Sequence, residues 1–193
     1  MKALTEDEML LTRCLKAALF DGRVYKIQST VNQPVLQGLV VVLAVSICFG
    51  LGLRSMPLGL AEIPNNKESF ISNENLVMAV AIHTLIFGWI LWGVLAWYVG
   101  TKLLNGNASL RAILSSLGIA YGPGILLIFS PIPFNIGTSI VIIARLWILM
   151  AAFVAIAYTE DYRGWWKMKA VIPAFLGWFL VFVILQGLII PLN

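Results

Sequence analysis

Five long apolar stretches fill most of this chain and leave room for only short polar connections. They lie at residues 35–53, 76–99, 112–129, 137–158 and 171–192. A hydrocarbon core of about 30 Å requires about 20 apolar residues in a helix, and each stretch supplies roughly that number. Strands of membrane barrels alternate apolar and polar residues, whereas these stretches are continuously apolar. The sequence therefore predicts an all-α, polytopic membrane bundle of five transmembrane helices.

The composition agrees with this fold class, and the distribution of basic residues adds an orientation. The 193-residue chain is 60% hydrophobic and 11% charged, far from the balance of a water-soluble domain. Two basic residues, Arg54 and Lys67, fall in the gaps on one side of the bundle. Ten fall on the other side: Lys2, Arg13, Lys16, Arg23, Lys26, Lys102, Arg111, Arg163, Lys167 and Lys169. Because cytoplasmic connections are enriched in Lys and Arg, we expect a cytoplasmic N-terminus and an external C-terminus.

The same distribution accounts for the net charge of +4 without a nucleic-acid partner. Basic residues beside a membrane surface are attracted to anionic headgroups. We therefore expect membrane lipids, and no nucleic acid, among the partners of this chain.

Residues 1–33 form a cytoplasmic segment that precedes the membrane domain at residues 34–193. Thr5 and Glu8 have the spacing of a capping box, which predicts an amphipathic helix over residues 5–21. Arg13 lies away from the apolar face of this helix. That face contains Leu11, Cys14, Leu15 and Ala18. The helix would lie on the cytoplasmic leaflet or dock against the bundle or a partner.

The single histidine, His83, lies inside the second apolar stretch. A neutral imidazole can ligate a metal or the magnesium of a tetrapyrrole. The segment Ala79-Val80-Ala81-Ile82-His83 resembles the pigment-binding helix of bacterial light-harvesting polypeptides, which implies a (bacterio)chlorophyll at His83. The alternative, which the residues alone favour, is a histidine that is hydrogen-bonded between helices. The nearby tryptophans are interpreted as interfacial anchors: Trp89, Trp92 and Trp97.

Other ligands and disulfides are not predicted. One histidine and two cysteines are too few for a zinc site of the usual kind, so we expect no metal. Cys14 would be cytoplasmic and Cys48 lies in the first stretch, so a bridge between them is not expected.

Arg145 is the one basic residue inside an apolar stretch, where insertion costs about 2.5–3.5 kcal/mol. The acidic residues all lie in terminal or connecting segments, so none can pair with it from within a stretch. Arg145 and Tyr121 are therefore candidate contacts for a lipid or a partner. Within the bundle, the candidate partners of Arg145 are Tyr121, Ser115, Ser116 and carbonyls freed near Pro123; an anionic lipid is a further candidate. The alternative is a shifted span boundary or an arginine whose side chain extends to the membrane surface.

The segment Gly122-Pro123-Gly124 interrupts the third stretch. Proline removes a hydrogen-bond donor and clashes with the carbonyl one turn back, so the helix is expected to kink or to end early. Broken helices line the substrate sites of some transporters. The alternative is that this segment only shapes the packing of the helices.

Several motifs occur together in the second half of the chain. They are Gly100-Thr101-Lys102-Leu103-Leu104-Asn105-Gly106, Ser109-Leu110-Arg111-Ala112-Ile113-Leu114, Gly118-Ile119-Ala120-Tyr121-Gly122-Pro123 and Lys167-Met168-Lys169-Ala170. In order and spacing, residues 98–185 resemble the Yip family of small multi-pass membrane proteins, named for Ypt/Rab-interacting proteins. The resemblance implies five spans, a cytoplasmic N-terminus and GTPase partners. The segment 1–33 is shorter than in eukaryotic trafficking members, which favours a prokaryotic member in a bacterial inner membrane and weakens the expectation of a GTPase.

Three functions are compatible with these features. The favoured one is a non-enzymatic membrane organiser or interaction partner of Yip type. The second is an accessory subunit of a larger membrane complex, photosynthetic if His83 binds a pigment, and the third is a small transporter. No catalytic residues are predicted, because no base stands beside a nucleophile and Glu160-Asp161 is interpreted as a solvated interfacial turn.

Overall fold

A computed structural model describes residues 9–55, 75–132, 135–162 and 164–189 of the chain. Every regular element within these ranges is helical. The α-helices are α1 (Leu10–Ala18), α2 (Arg23–Gln28), α3 (Pro34–Ser55), α4 (Leu76–His83), α5 (Trp92–Trp97), α6 (Leu110–Ala120), α7 (Asn135–Thr159) and α8 (Val171–Ile189). This confirms the predicted all-α class for the described residues.

Four helical segments in these ranges are long and apolar enough to cross a membrane. They are Pro34–Gly52, Val77–Leu103, Leu110–Phe129 and Ile136–Thr159. Each agrees within a few residues with one of the first four apolar stretches of the sequence. The fifth stretch, 171–192, contains α8, and residues 190–193 lie outside the described ranges.

Two of these four segments are not regular α-helices. In the second, π-helical turns occupy Thr84–Leu91 and Tyr98–Leu103, which hydropathy did not predict. In the third, α6 ends at Ala120 and a 3₁₀ helix follows over Gly122–Phe129. The predicted interruption at Pro123 is therefore confirmed, and it takes the form of a tighter helix that continues along the span.

The helices pack through small residues and expose large apolar ones. On α7 the buried alanines are Ala144, Ala151, Ala152, Ala155 and Ala157, and the exposed residues include Ile142, Ile143, Leu146 and Met150. Between α3 and α6, a Cβ atom on Gly118 would collide with the backbone of Gly38. Such close packing of small residues, with large apolar side chains outside, is typical of helices in lipid.

The N-terminal helix differs from its prediction in length and in orientation. α1 spans Leu10–Ala18 rather than residues 5–21, and the capping pattern at Thr5 and Glu8 lies outside the described residues. α1 docks against the bundle, where the Trp147 indole donates a hydrogen bond of 2.8 Å to the Ala18 carbonyl. Docking is thus the alternative that the structure favours for this helix.

The polar side of α1 faces inward. Arg13 is 4% exposed and donates hydrogen bonds of 2.6 Å to Gln28 and 2.8 Å to Gln37. Leu11 and Leu15 are 67% and 60% exposed. Two residues of the predicted apolar face, Leu11 and Leu15, therefore point outward, whereas Cys14 packs against the core and Arg13 finds acceptors on two glutamines inside the bundle.

Candidate functional site

A cleft of about 70 Å³ lies between the helices at the level of Arg145. It is lined by Val45, Ser46, Phe49, His83, Thr84, Trp92, Tyr121, Leu127, Arg145, Ile148 and Trp178. All three site residues predicted from the sequence are in this set: His83, Tyr121 and Arg145. They come from three different membrane segments, so only the packing of the helices could bring them together.

Arg145 supplies the charge in this cleft. Its guanidinium carbon is 5.2 Å from the centroid of the Phe49 ring, a cation–π contact. Two of its predicted partners make their own hydrogen bonds, from the Ser115 hydroxyl to the Ala112 carbonyl and from the Ser116 hydroxyl to the Tyr25 carbonyl. Arg145 is therefore held inside the bundle beside an aromatic ring.

His83 is the second ionisable residue that lines the cleft. Its side chain is 3% exposed, and its ring centroid is 5.5 Å from that of Phe87. Among the described residues, the His83 Nε2 atom has no hydrogen-bond partner. The structure therefore does not show the expected interhelical hydrogen bond at this atom. A buried polar atom without a partner costs about 1–3 kcal/mol, and water or a ligand normally satisfies such atoms.

The cleft does not fit a tetrapyrrole. A cavity of about 150 Å³ binds benzene, and this cleft has about half that volume. A macrocycle is much larger than benzene, and Arg145 lies in the same space. The His83 side chain is also buried inside the bundle. These residues thus favour a smaller ligand group than the (bacterio)chlorophyll implied by the local resemblance.

Tyr121 is fixed by the irregular part of the second segment. Its hydroxyl donates to the carbonyl of Gly88, within the first π-helical stretch, and its ring makes an edge contact with Trp92 at 6.1 Å between centroids. A Cβ atom at Gly88 would lie 2.8 Å from the Tyr121 hydroxyl, so a larger residue would displace it. The glycine, the π-helical turns and Tyr121 together shape one wall of the cleft.

Several residues in and around the cleft were missed or misinterpreted from the sequence. Trp92 is 1% exposed and donates to the Pro173 carbonyl at 3.2 Å, and Trp89 is 4% exposed and donates to the Leu114 carbonyl at 2.8 Å. Both are core residues, so their interpretation as interfacial anchors was wrong. Ser46 and Thr84 gave no sequence signal, since each is a lone hydroxyl in an apolar helix.

A second buried polar site lies at the end of α7. The Glu160 side chain is 1% exposed, and its Oε2 accepts a hydrogen bond of 2.9 Å from the amide of Ala108. Its Oε1 accepts from the hydroxyl of Thr101 at 3.3 Å. Glycines surround the carboxylate, because a Cβ atom at Gly100 or Gly106 would overlap it. The carboxylate is enclosed by the connection between the second and third segments.

The interpretation of Glu160-Asp161 as a solvated turn was correct for one residue only. Asp161 is at the surface and pairs with Lys26 at 2.6 Å. Glu160 is buried, and this burial raises the pKa of its carboxyl group. The loop around it is further held by hydrogen bonds from Tyr162 to the Gly100 carbonyl and from Lys169 to the Leu104 carbonyl.

No family model, no curated protein and no solved structure matches this chain. Within the described residues there is no group of three or more His, Cys, Asp and Glu side chains that could hold a metal ion. The function is therefore inferred from the geometry of the cleft.

Proposed function

We propose that this chain is a non-enzymatic, multi-pass membrane protein that acts by binding a membrane component, a lipid or a partner subunit, in the cleft around Arg145. The observation that carries the proposal is that Arg145 and His83 line the same cleft inside an apolar bundle, where the Nε2 atom of His83 has no hydrogen-bond partner among the described residues. Both groups are costly to bury, and ionisable residues within membrane helices commonly mark functional sites.

The proposal includes the topology expected from the sequence. The charge distribution supports a cytoplasmic N-terminus, and the four apolar segments of the described residues, followed by α8, support five spans in a bacterial inner membrane. A Yip-type role is supported by the placement of the motif residues. Gly100, Thr101 and Gly106 enclose Glu160, while Tyr121 lines the cleft. A reporter fused to Asn193 tests the topology, and a cytoplasmic signal there would overturn it.

Photo-crosslinking within native membranes tests the binding role. A diazirine amino acid at Leu127 would sample the cleft, and the same probe at Ile142 would sample the exposed face of α7. We expect a discrete adduct from Leu127 that disappears in Arg145→Leu, and a mixture of bulk lipids from Ile142. The same lipid mixture from both positions would refute the proposal. Native co-purification then shows whether the adduct is a lipid or another subunit.

A second candidate, a small transporter, is favoured by the irregular helices at the cleft. Thr84 begins the π-helical stretch, and Leu127 lies in the 3₁₀ helix that follows Pro123. Breaks of this kind occur at substrate sites of transporters. Uptake of ions and small solutes into proteoliposomes tests this function, with Arg145→Leu as the control. If Arg145→Leu left the uptake unchanged, transport would not depend on the cleft.

A further inference from the structure

We infer that the cleft takes the carboxylate group of an apolar, membrane-soluble acid, with Arg145 as its cationic partner and His83 as a second polar contact. The inference rests on the proposed function and adds the chemical class of the ligand. It depends on the donors in the cleft, the depth of Arg145 in the bundle, and the size of the space.

The donors define what the ligand must offer. A guanidinium carries N–H donors and no acceptor, so any group that it hydrogen-bonds must be an acceptor. Its planar fork matches a carboxylate, whose two oxygens it can engage together. The buried Nε2 atom of His83 has no partner within the described residues and can donate to such a group in the appropriate tautomer.

The depth of Arg145 within its apolar segment distinguishes between a free acid and a phospholipid headgroup as the ligand. Arg145 follows Ile136, the first residue of its apolar segment, by nine positions, which is about 14 Å along a helix. This is near the centre of a hydrocarbon core of about 30 Å. A phospholipid would have to draw its phosphate away from the membrane surface to reach that level. A hydrophobic carboxylic acid enters the core in its neutral form and can ionise beside the arginine.

The size of the cleft agrees with a small head and an apolar tail. About 70 Å³ can hold a carboxyl group and the first part of a chain, but not a bulky headgroup. Phe49, Leu127 and Ile148 provide apolar walls for that chain. The cleft is half-open, so the remainder of the tail can extend into the surrounding lipid.

Tryptophan quenching provides a direct test, because Trp92 and Trp178 line the cleft. The purified full chain in mild detergent would be titrated with a dibrominated stearic acid, its methyl ester, and a brominated anionic phospholipid. We expect saturable quenching by the acid and only weak, non-saturable quenching by the ester. Since this comparison uses the unaltered protein, it does not depend on whether a variant folds.

Substitutions locate the site. Arg145→Gln is expected to weaken binding of the acid about tenfold or more, because it removes the charged partner. His83→Leu is expected to weaken it a few-fold. Arg111→Gln, an exposed arginine at the start of α6, is the matched control and should leave binding unchanged.

Two results would overturn the inference. Saturable quenching by the ester as strong as by the acid would show that the carboxylate is not recognised. Arginine-dependent quenching by the phospholipid but not by the acid would show the wrong ligand class, while the proposed binding role of the cleft would stand. If none of the three probes gave saturable quenching, the inference would fail, and the crosslink from Leu127 would decide the proposed function separately.

Discussion

Glu160 and His83 are almost equally buried, at 1% and 3% exposure, but their surroundings differ. Both oxygens of Glu160 accept hydrogen bonds, from Ala108 and from Thr101. The Nε2 atom of His83 has no partner in the described part of the chain. The carboxylate is therefore a completed internal contact, whereas the imidazole borders a space that something else can occupy.

The difference shows how a polar group can serve folding or binding in the same apolar bundle. The residues around Glu160 include glycines whose missing side chains let the loop close over it. The residues that line the cleft with His83 include aromatic rings and Arg145, and they leave a space between them. A satisfied buried network stabilises one conformation, while an incomplete one is costly until a ligand or water fills it.

The largest expected effect is that of Glu160→Leu on stability. The substitution leaves the amide of Ala108 buried without its acceptor and removes the contact with Thr101, so we expect a loss of about 2–4 kcal/mol. Unfolding of the detergent-solubilised protein by heat or by denaturing detergent measures it. Asp161→Asn, which alters the neighbouring exposed ion pair, should cost no more than about 1 kcal/mol. Equal losses of stability in the two variants would contradict the distinction between a buried Glu160 and an exposed Asp161.

The pH dependence of stability tests the burial of Glu160 directly. Because its pKa is raised in the folded state, the folded protein binds the proton more tightly than the unfolded chain does. This stability is present below the ordinary pKa of a glutamic acid and is lost as the pH rises through the raised pKa. Thermal midpoints measured across that range should fall in the unaltered protein and stay nearly level in Glu160→Gln.

The pH range must avoid a second carboxyl group of opposite sign. The hydrogen bond from Arg23 lowers the pKa of Asp21, so the stability that Asp21 contributes is lost as the pH falls through its lowered pKa. The contributions of Glu160 and Asp21 to stability therefore change in different pH ranges. A midpoint that rises with pH above the ordinary glutamic acid pKa, in the unaltered protein alone, would contradict the assignment to Glu160.

A smaller effect is expected for Thr101→Val. The hydroxyl lies 3.3 Å from Glu160 Oε1 and 3.4 Å from the Ala108 carbonyl, so its loss removes a weak link but leaves the amide contact intact. We expect a loss of about 1 kcal/mol. The double variant Thr101→Val with Glu160→Gln should cost less than the sum of the two, since the residues share one network.

The smallest effect on stability is expected for His83→Leu without ligand. Replacing a buried, unsatisfied imidazole by an apolar side chain removes a polar burial cost, so the free energy of unfolding should change by less than about 1 kcal/mol or rise. The same thermal measurement checks it. A loss of several kcal/mol would indicate that His83 is structural, like Glu160, and would remove the contrast between the two sites.

Hydropathy predicted most of the membrane segments, because lipid imposes the same requirement on every residue of a span. The apolar stretches 35–53, 76–99, 112–129 and 137–158 each coincide closely with a helical segment of the structure. The interruption at Pro123 was also predictable, since proline changes the backbone itself. The π-helical turns over Thr84–Leu91 were not, because hydropathy does not indicate how tightly a helix is wound.

Residues of the candidate site could be predicted from the sequence, but their position next to one another in the fold could not. Arg145 and His83 stood out because ionisable groups are rare in apolar stretches. Glu160 did not stand out, since it lies beside Asp161 in a charged turn. Whether such a residue faces water or a folded loop depends on Ala108 and Gly106, which are far from it in the sequence.

The sequence by itself determined that this chain forms helices long and apolar enough to cross a membrane, and that Arg145 and His83 are exceptional among its ionisable residues, because the cost of placing backbone and charge in lipid depends on local composition. Tertiary structure alone decided that Arg145, His83 and Tyr121 share a cleft. It also decided that Arg13 and Glu160 are enclosed by polar partners. The physical reason is that hydrogen-bond partners and empty volume arise between helices, and composition does not encode which faces meet.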